Sequence, residues 1–134
     1  MSGCDDLDDA TLVRRFESLE LAPADFRHRE HVRIAFAMLV DTDLADAAQR
    51  FKRALVRFAT AAGAAAKYHE TLTWAYLALV QERMARGSYP SSLVFVDENP
   101  DLLDHRRGAV AQLYDLDAIT ACPIARRVFV LPRR

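Results

Sequence analysis

Glycine and proline are scarce in this chain, with four and five residues among 134. Alanine is used heavily, and few ladder-breaking residues with many strong helix formers favour helix over sheet. Cysteine is scarcer still. Cys4 and Cys122 are the only two, far apart in a chain long enough to need no covalent staple, and they are expected as reduced thiols of a cytoplasmic protein. Neither sign of charge is in excess. A net charge of -1 creates no global field to draw nucleic acid or an anionic membrane, so neither is expected as a partner. No apolar run approaches the roughly 18 residues of a membrane span. Asp5, Asp6, Asp8 and Asp9 crowd a start without an apolar run, which argues against a signal peptide.

Other absences concern chemistry. There is no glycine-rich phosphate loop, no GxSxG, no HExxH and no cysteine cluster. Nucleotide-dependent reactions and the common hydrolase designs are therefore disfavoured, and no motif for an organic cofactor is present. The length suits one domain over 1–134, large enough to bury its own core.

The apolar rhythm is helical. Leu12, Val13, Phe16 and Leu19 predict a helix over about 10–21, capped by Asp8 or Asp9 and stopped at Pro23. A second helix is expected at 28–40 around Val32, Ala35, Phe36 and Leu39. A third runs from a Thr42 or Asp43 cap to about residue 62, where Gly63 suits a left-handed stop. Arg50, Arg53 and Arg57 give this helix a basic face, read as solvated, with Asp46 spaced to pair with Arg50. The fourth, about 67–86, is apolar nearly all round after its first turn and reads as the central core helix. Leu93–Val96 is isolated and reads as a helical turn or extended loop, since a lone strand has no partner. Short helical pieces are expected over 101–108, 109–114, 117–122 and 124–130, with Asn99 capping the first. The expected fold is all-α: a compact bundle of four main helices with an irregular helical C-terminal wrap.

Two polar clusters interrupt this apolar plan. Phe26-Arg27-His28-Arg29-Glu30-His31 opens the second helix, and His28 and His31, three apart, share a face. Lys67-Tyr68-His69-Glu70-Thr71 opens the fourth. At a helix N-terminus the positive dipole end disfavours imidazolium, and neutral imidazole is what a metal or a general base requires. His28, His31 and His69 are thus candidate ligands of one divalent metal ion, with Glu70 as a fourth ligand, an orienting group or the base. Without a metal, His69 and Glu70 form a candidate base and orienting partner, with His28 or His31 as proton donor. Tyr68 and Thr73 are candidates to polarise a substrate oxygen. Lys67 and Arg33 are candidates to hold a carboxylate or phosphate. Each residue also has a plain structural reading, since a histidine on an apolar face is commonly a satisfied core residue. His105, in a charged stretch, is read as uninvolved, and Trp74 and Tyr76 as core.

The pieces Phe26-x-His28-x-x-His31-x-x-x-Ala35, Lys67-Tyr68-His69-Glu70-Thr71-Leu72-Thr73 and Asn99-Pro100-x-Leu102 resemble a family of small bacterial helical proteins. The ending Ala125-Arg126-x-x-Phe129-Val130-x-Pro132 is similar to that family's, although Arg133 stands where the family carries an acidic residue. The resemblance implies that both histidine motifs belong to one shared design, and it adds no substrate. The leading expectation is a small-molecule enzyme of lyase, hydrolase or isomerase type using histidine–glutamate acid/base chemistry. The alternatives are a non-catalytic ligand- or metal-binding protein, or a helical interaction module whose histidines knit the core. A homo-oligomer is compatible with each.

Overall fold

The computed structural model describes residues 4–133, and among them all regular structure is helical. In chain order the α-helices are α1 (Asp9–Glu17), α2 (His28–Val40), α3 (Leu44–Ala61), α4 (Glu70–Arg86), α5 (Ser92–Glu98), α6 (Ala109–Leu113), α7 (Leu116–Ala121) and α8 (Pro123–Arg127). Short 3-10 turns occupy Pro23–Asp25, Ala65–Lys67 and Pro100–Leu102.

The helix starts follow their capping side chains. Asp8 accepts from the Thr11 amide, Asp43 from Asp46 and Ser91 from Val94, each filling an orphan donor of a first turn. Helix α3 ends as expected, with Gly63 at φ +73°, the Ala64 amide reaching back to Ala59 at 2.7 Å and the Gly63 amide to Thr60 at 3.1 Å. Helix α1 ends in the same motif but several residues before Pro23. Here Leu19 takes the left-handed position at φ 66°, with Glu20 reaching Arg15 at 2.9 Å. Leucine is an unfavourable residue for that conformation, so nothing in the local sequence marks the stop.

Helix α2, not α4, is the hub. It packs against α1, α3, α4 and α5, and Val32, Ile34, Ala35, Phe36, Met38 and Leu39 are all buried. The Leu93–Val96 run is helical and belongs to α5, whose Phe95 and Val96 are fully buried. Rings from four elements, Phe16, Phe36, Phe58 and Phe95, enter this one core. A second, smaller cluster of Ala75, Val110 and Tyr114 joins α6 to α4.

Hydrogen bonds tie α8 to α4. The Thr71 hydroxyl faces the carbonyls of Ala125 at 2.8 Å and Val128 at 2.9 Å and accepts from the Val130 amide at 3.1 Å. Gly108 lets the chain pass close to itself, since a Cβ there would lie 1.9 Å from the Asp101 carbonyl oxygen. The stretch 101–108, expected as helical, is instead the 3-10 turn followed by a tight reversal. Asn99 caps nothing that follows: its amide nitrogen donates back to Phe95 at 2.9 Å and its oxygen accepts from Arg83 at 3.0 Å. Arg50 pairs with Glu17 across helices, both contacts at 2.7 Å, and not with Asp46. No helix among the described residues is long and apolar enough to cross a membrane.

Candidate functional site

Helices α2, α3 and α4 leave a pocket of about 520 Å³ between them, a size typical of small-molecule sites. Its floor is apolar and buried: Val32 and Ala35 from α2, Phe51 and Phe58 from α3, Leu77 and Val80 from α4. Pro23, Ala62, Ala64 and Lys67 are on its more exposed side, at the C-terminal end of α3 and the ends of the 3-10 turns. The polar groups on the wall are His28, His31, Tyr68, His69, Thr73 and Tyr76. The two histidine motifs, some forty residues apart in the chain, therefore do meet around one cavity.

They do not meet as equals. His69 is the N-cap of α4, and its Nδ1 accepts from the Leu72 amide at 3.1 Å. The proton must then sit on Nε2, which lies 3.0 Å from the Ile119 carbonyl and donates to it. Both nitrogens are occupied in holding α4 to α7, so the expected roles of metal ligand and base are not open to His69 in this arrangement.

Glu70 is likewise engaged, and it does not line the pocket. Its carboxylate accepts from the Tyr68 hydroxyl at 2.6 Å, from Lys52 Nζ at 3.0 Å and from the Trp74 indole at 3.2 Å. Burial alone would raise its pKa, but the bonds from Tyr68, Lys52 and Trp74 outweigh this and hold the carboxyl below its ordinary value. Burial, together with the same pairing, pushes the Tyr68 phenol well above its usual range. Thr73 lines the wall but spends its proton on the His69 carbonyl at 2.8 Å.

Arg33, expected to grip a substrate anion, is on the other side of α2 and fully buried. It donates to Ser92 Oγ and the Cys4 carbonyl at 2.7 Å and to the Leu7 carbonyl at 2.8 Å, with Asp9 at 3.4 Å. This is a structural tie between α1, α2 and α5. Glu30 is fully buried too, closing a capping box on the Arg27 amide at 2.9 Å.

His28 and His31 are different. His28 donates Nε2–H to the Leu102 carbonyl at 2.8 Å, which fixes the ring and leaves the Nδ1 lone pair free. Burial is the main force lowering its pKa, opposed by the Leu102 bond and aided by His105. The His31 imidazole makes no hydrogen bond to any described residue. Its ring lies on Phe26 with centroids 3.9 Å apart, and since no buried ring nitrogen is unpartnered, its nitrogens open onto the pocket. Burial, helped by His28, drives its pKa down to about 3, so the imidazole is neutral at ordinary pH. The two rings are 6.2 Å apart. Among the described residues no three histidine, cysteine, aspartate or glutamate side chains gather to hold a metal ion.

Two neighbours of His28 escape sequence reasoning. Tyr76 is a wall residue whose ring is 4.7 Å from His28, edge to face, and burial pushes its hydroxyl up to about 12. Exposed His105 has its ring 5.6 Å from His28. The 74-residue separation of His28 from Leu102 leaves no local signal for that neighbourhood. No family model, curated protein or solved structure matches the chain, so the motif resemblance gains no support from them and the site must be read from its own geometry.

Proposed function

We propose that this chain binds a small, largely apolar molecule between α2, α3 and α4, with His31 and His28 meeting its polar atom. The observation that carries the reading is His31: an imidazole without a protein hydrogen-bond partner, its nitrogens accessible beside the largely apolar pocket that it lines. A group selected for stability alone is normally satisfied where it is desolvated. A ligand oxygen or nitrogen would supply the missing bond, while Phe51, Phe58, Leu77 and Val80 would cover the ligand's body.

Calorimetric titration with small apolar alcohols and phenols tests this. Saturable binding at one site per chain is expected, and Ala35→Phe, which adds bulk to the floor, should abolish it in a protein that still folds by circular dichroism. Unchanged affinity in that variant would place the site elsewhere.

A second reading, acid/base catalysis on the bound molecule, is favoured by one further observation. His28 Nδ1 is free, and its ring is oriented by the bond from Nε2 to Leu102, as a general base requires. In this reading His28 takes a proton from the substrate and His31 holds the oxygen next to it. The histidine–glutamate pair of the sequence expectation moves to a histidine–histidine pair, because His69 and Glu70 are committed elsewhere. Neither reading calls on a metal ion, since the three-histidine set would need His69 Nδ1 or Nε2 released.

A further inference from the structure

The pocket is charged in one sense only. No aspartate or glutamate lines it, and Lys67 is its one formally charged lining residue. Glu70, three residues on, is already neutralised by Lys52 at 3.0 Å and bonded by Tyr68 and Trp74. Lys67 is exposed, and its ammonium group enters no ion pair or hydrogen bond with any described residue. Beside it, Arg126 Nη1 donates to the Ala66 carbonyl at 3.2 Å, adding a second positive group to the same turn. Lys67 is on the more exposed side of the cavity, while Arg126 does not line it. The floor below is apolar, and the wall imidazoles of His28 and His31, both lowered in pKa by burial, carry no charge that could hold a second anion.

Resting on the small-molecule reading above, we propose that the pocket selects a monoanionic amphiphile: a free carboxylate whose head takes a hydrogen bond from His31 and faces Lys67, and whose apolar body fills the floor between α2 and α4. A cation would find a lysine and no counter-charge. A polyanion would find one lysine and no backbone cradle, and would leave the apolar floor uncovered. An uncharged molecule would satisfy His31 but make no use of Lys67.

The test is a matched set of heads on the same bodies: phenylbutyrate, phenylbutanol and phenylbutylamine, with the straight-chain octanoate, octanol and octylamine alongside. Calorimetry at low salt should rank carboxylate over alcohol by roughly fivefold, the worth of one partly exposed ion pair, with the amines weakest. The preference should shrink as salt is raised. Lys67→Gln, an exposed substitution, should erase the carboxylate preference and leave alcohol binding unchanged. Alcohol or amine binding as tight as carboxylate, or a preference that survives Lys67→Gln, overturns the charge assignment while the pocket reading stands. Binding of neither the acids nor the alcohols removes both readings together.

Discussion

The imidazole of His31 lies nearly parallel to the ring of Phe26, centroids 3.9 Å apart and planes 17° from each other. Five residues apart in the chain, they are brought together because Phe26 precedes the N-cap of α2 while His31 projects from its first turn. The stack excludes water from one face of the imidazole and leaves its edge to the pocket. What the arrangement lacks is a hydrogen bond to the imidazole.

Replacing His31 by phenylalanine keeps the stack and removes a desolvated polar group. His31→Phe should therefore unfold at equal or higher urea concentration than the parent, by up to about 1 kcal/mol. Binding of alcohols and carboxylates should be lost at the same time. A destabilised His31→Phe protein would mean that the imidazole has a structural partner, and the pocket reading would lose its main support.

Stability should also depend on pH through the same ring. His31 is lowered to about 3 and His28 is lowered as well, so the unfolded chain binds protons more readily than the folded one below the ordinary histidine value of about 6.5. Stability contributed by the neutral rings is fully present above that value and lost progressively as pH falls toward 3, at up to about 1.4 kcal/mol per pH unit for one group. Between pH 6.5 and 5, before most carboxylates titrate, urea midpoints should fall with pH. His31→Phe should flatten that slope. A parent midpoint that stays level across the window would contradict the desolvated state assigned to both rings.

Leu19 at φ 66° closes a motif that Gly63 closes at the end of α3 without strain. Leu19 is partly exposed, so its side chain returns little packing. Leu19→Gly should raise stability by roughly 0.5–1 kcal/mol, the left-handed strain relieved less the added freedom of glycine when unfolded. Thermal denaturation measures it, and a clear loss would show that the leucine side chain matters more than its backbone.

How much of this was legible in the sequence differs by feature. Helix α2 was, to the residue, because its caps and apolar stripe are local. Helix α1 was misjudged at its end because a leucine occupies a position where glycine is the recognisable signal. The apolar circumference of α4 does not mark it as the centre of the fold, since it serves two separate clusters. The convergence of the two histidine motifs on one cavity could be guessed from shared residue types. The division of labour between them could not, because it depends on the carbonyls of Ile119 and Leu102, which any residue supplies and which lie 50 and 74 positions away. Arg33 has a structural role with no local signal for a related reason: its partners are the carbonyls of Cys4 and Leu7, together with Ser92 and Asp9.

His69 offers the sharpest separation of structure from chemistry. Its Nδ1 caps α4 and its Nε2–H reaches Ile119, so removing the ring forfeits a cap and a tertiary hydrogen bond. His69→Ala should cost about 2 kcal/mol, roughly one for each bond. His69→Asn restores a good capping side chain but is too short to take over the bond to α7, so it should recover about half of that loss. Amide hydrogen exchange distinguishes the two contributions. Protection in the first turn of α4 should return with asparagine, while α7 should exchange faster in both variants. Ligand binding at His31 should survive in either variant to the extent that the protein stays folded. If His69→Ala instead left stability intact and abolished binding, the ring would belong with His28 and His31, and its bonds to Leu72 and Ile119 would be incidental.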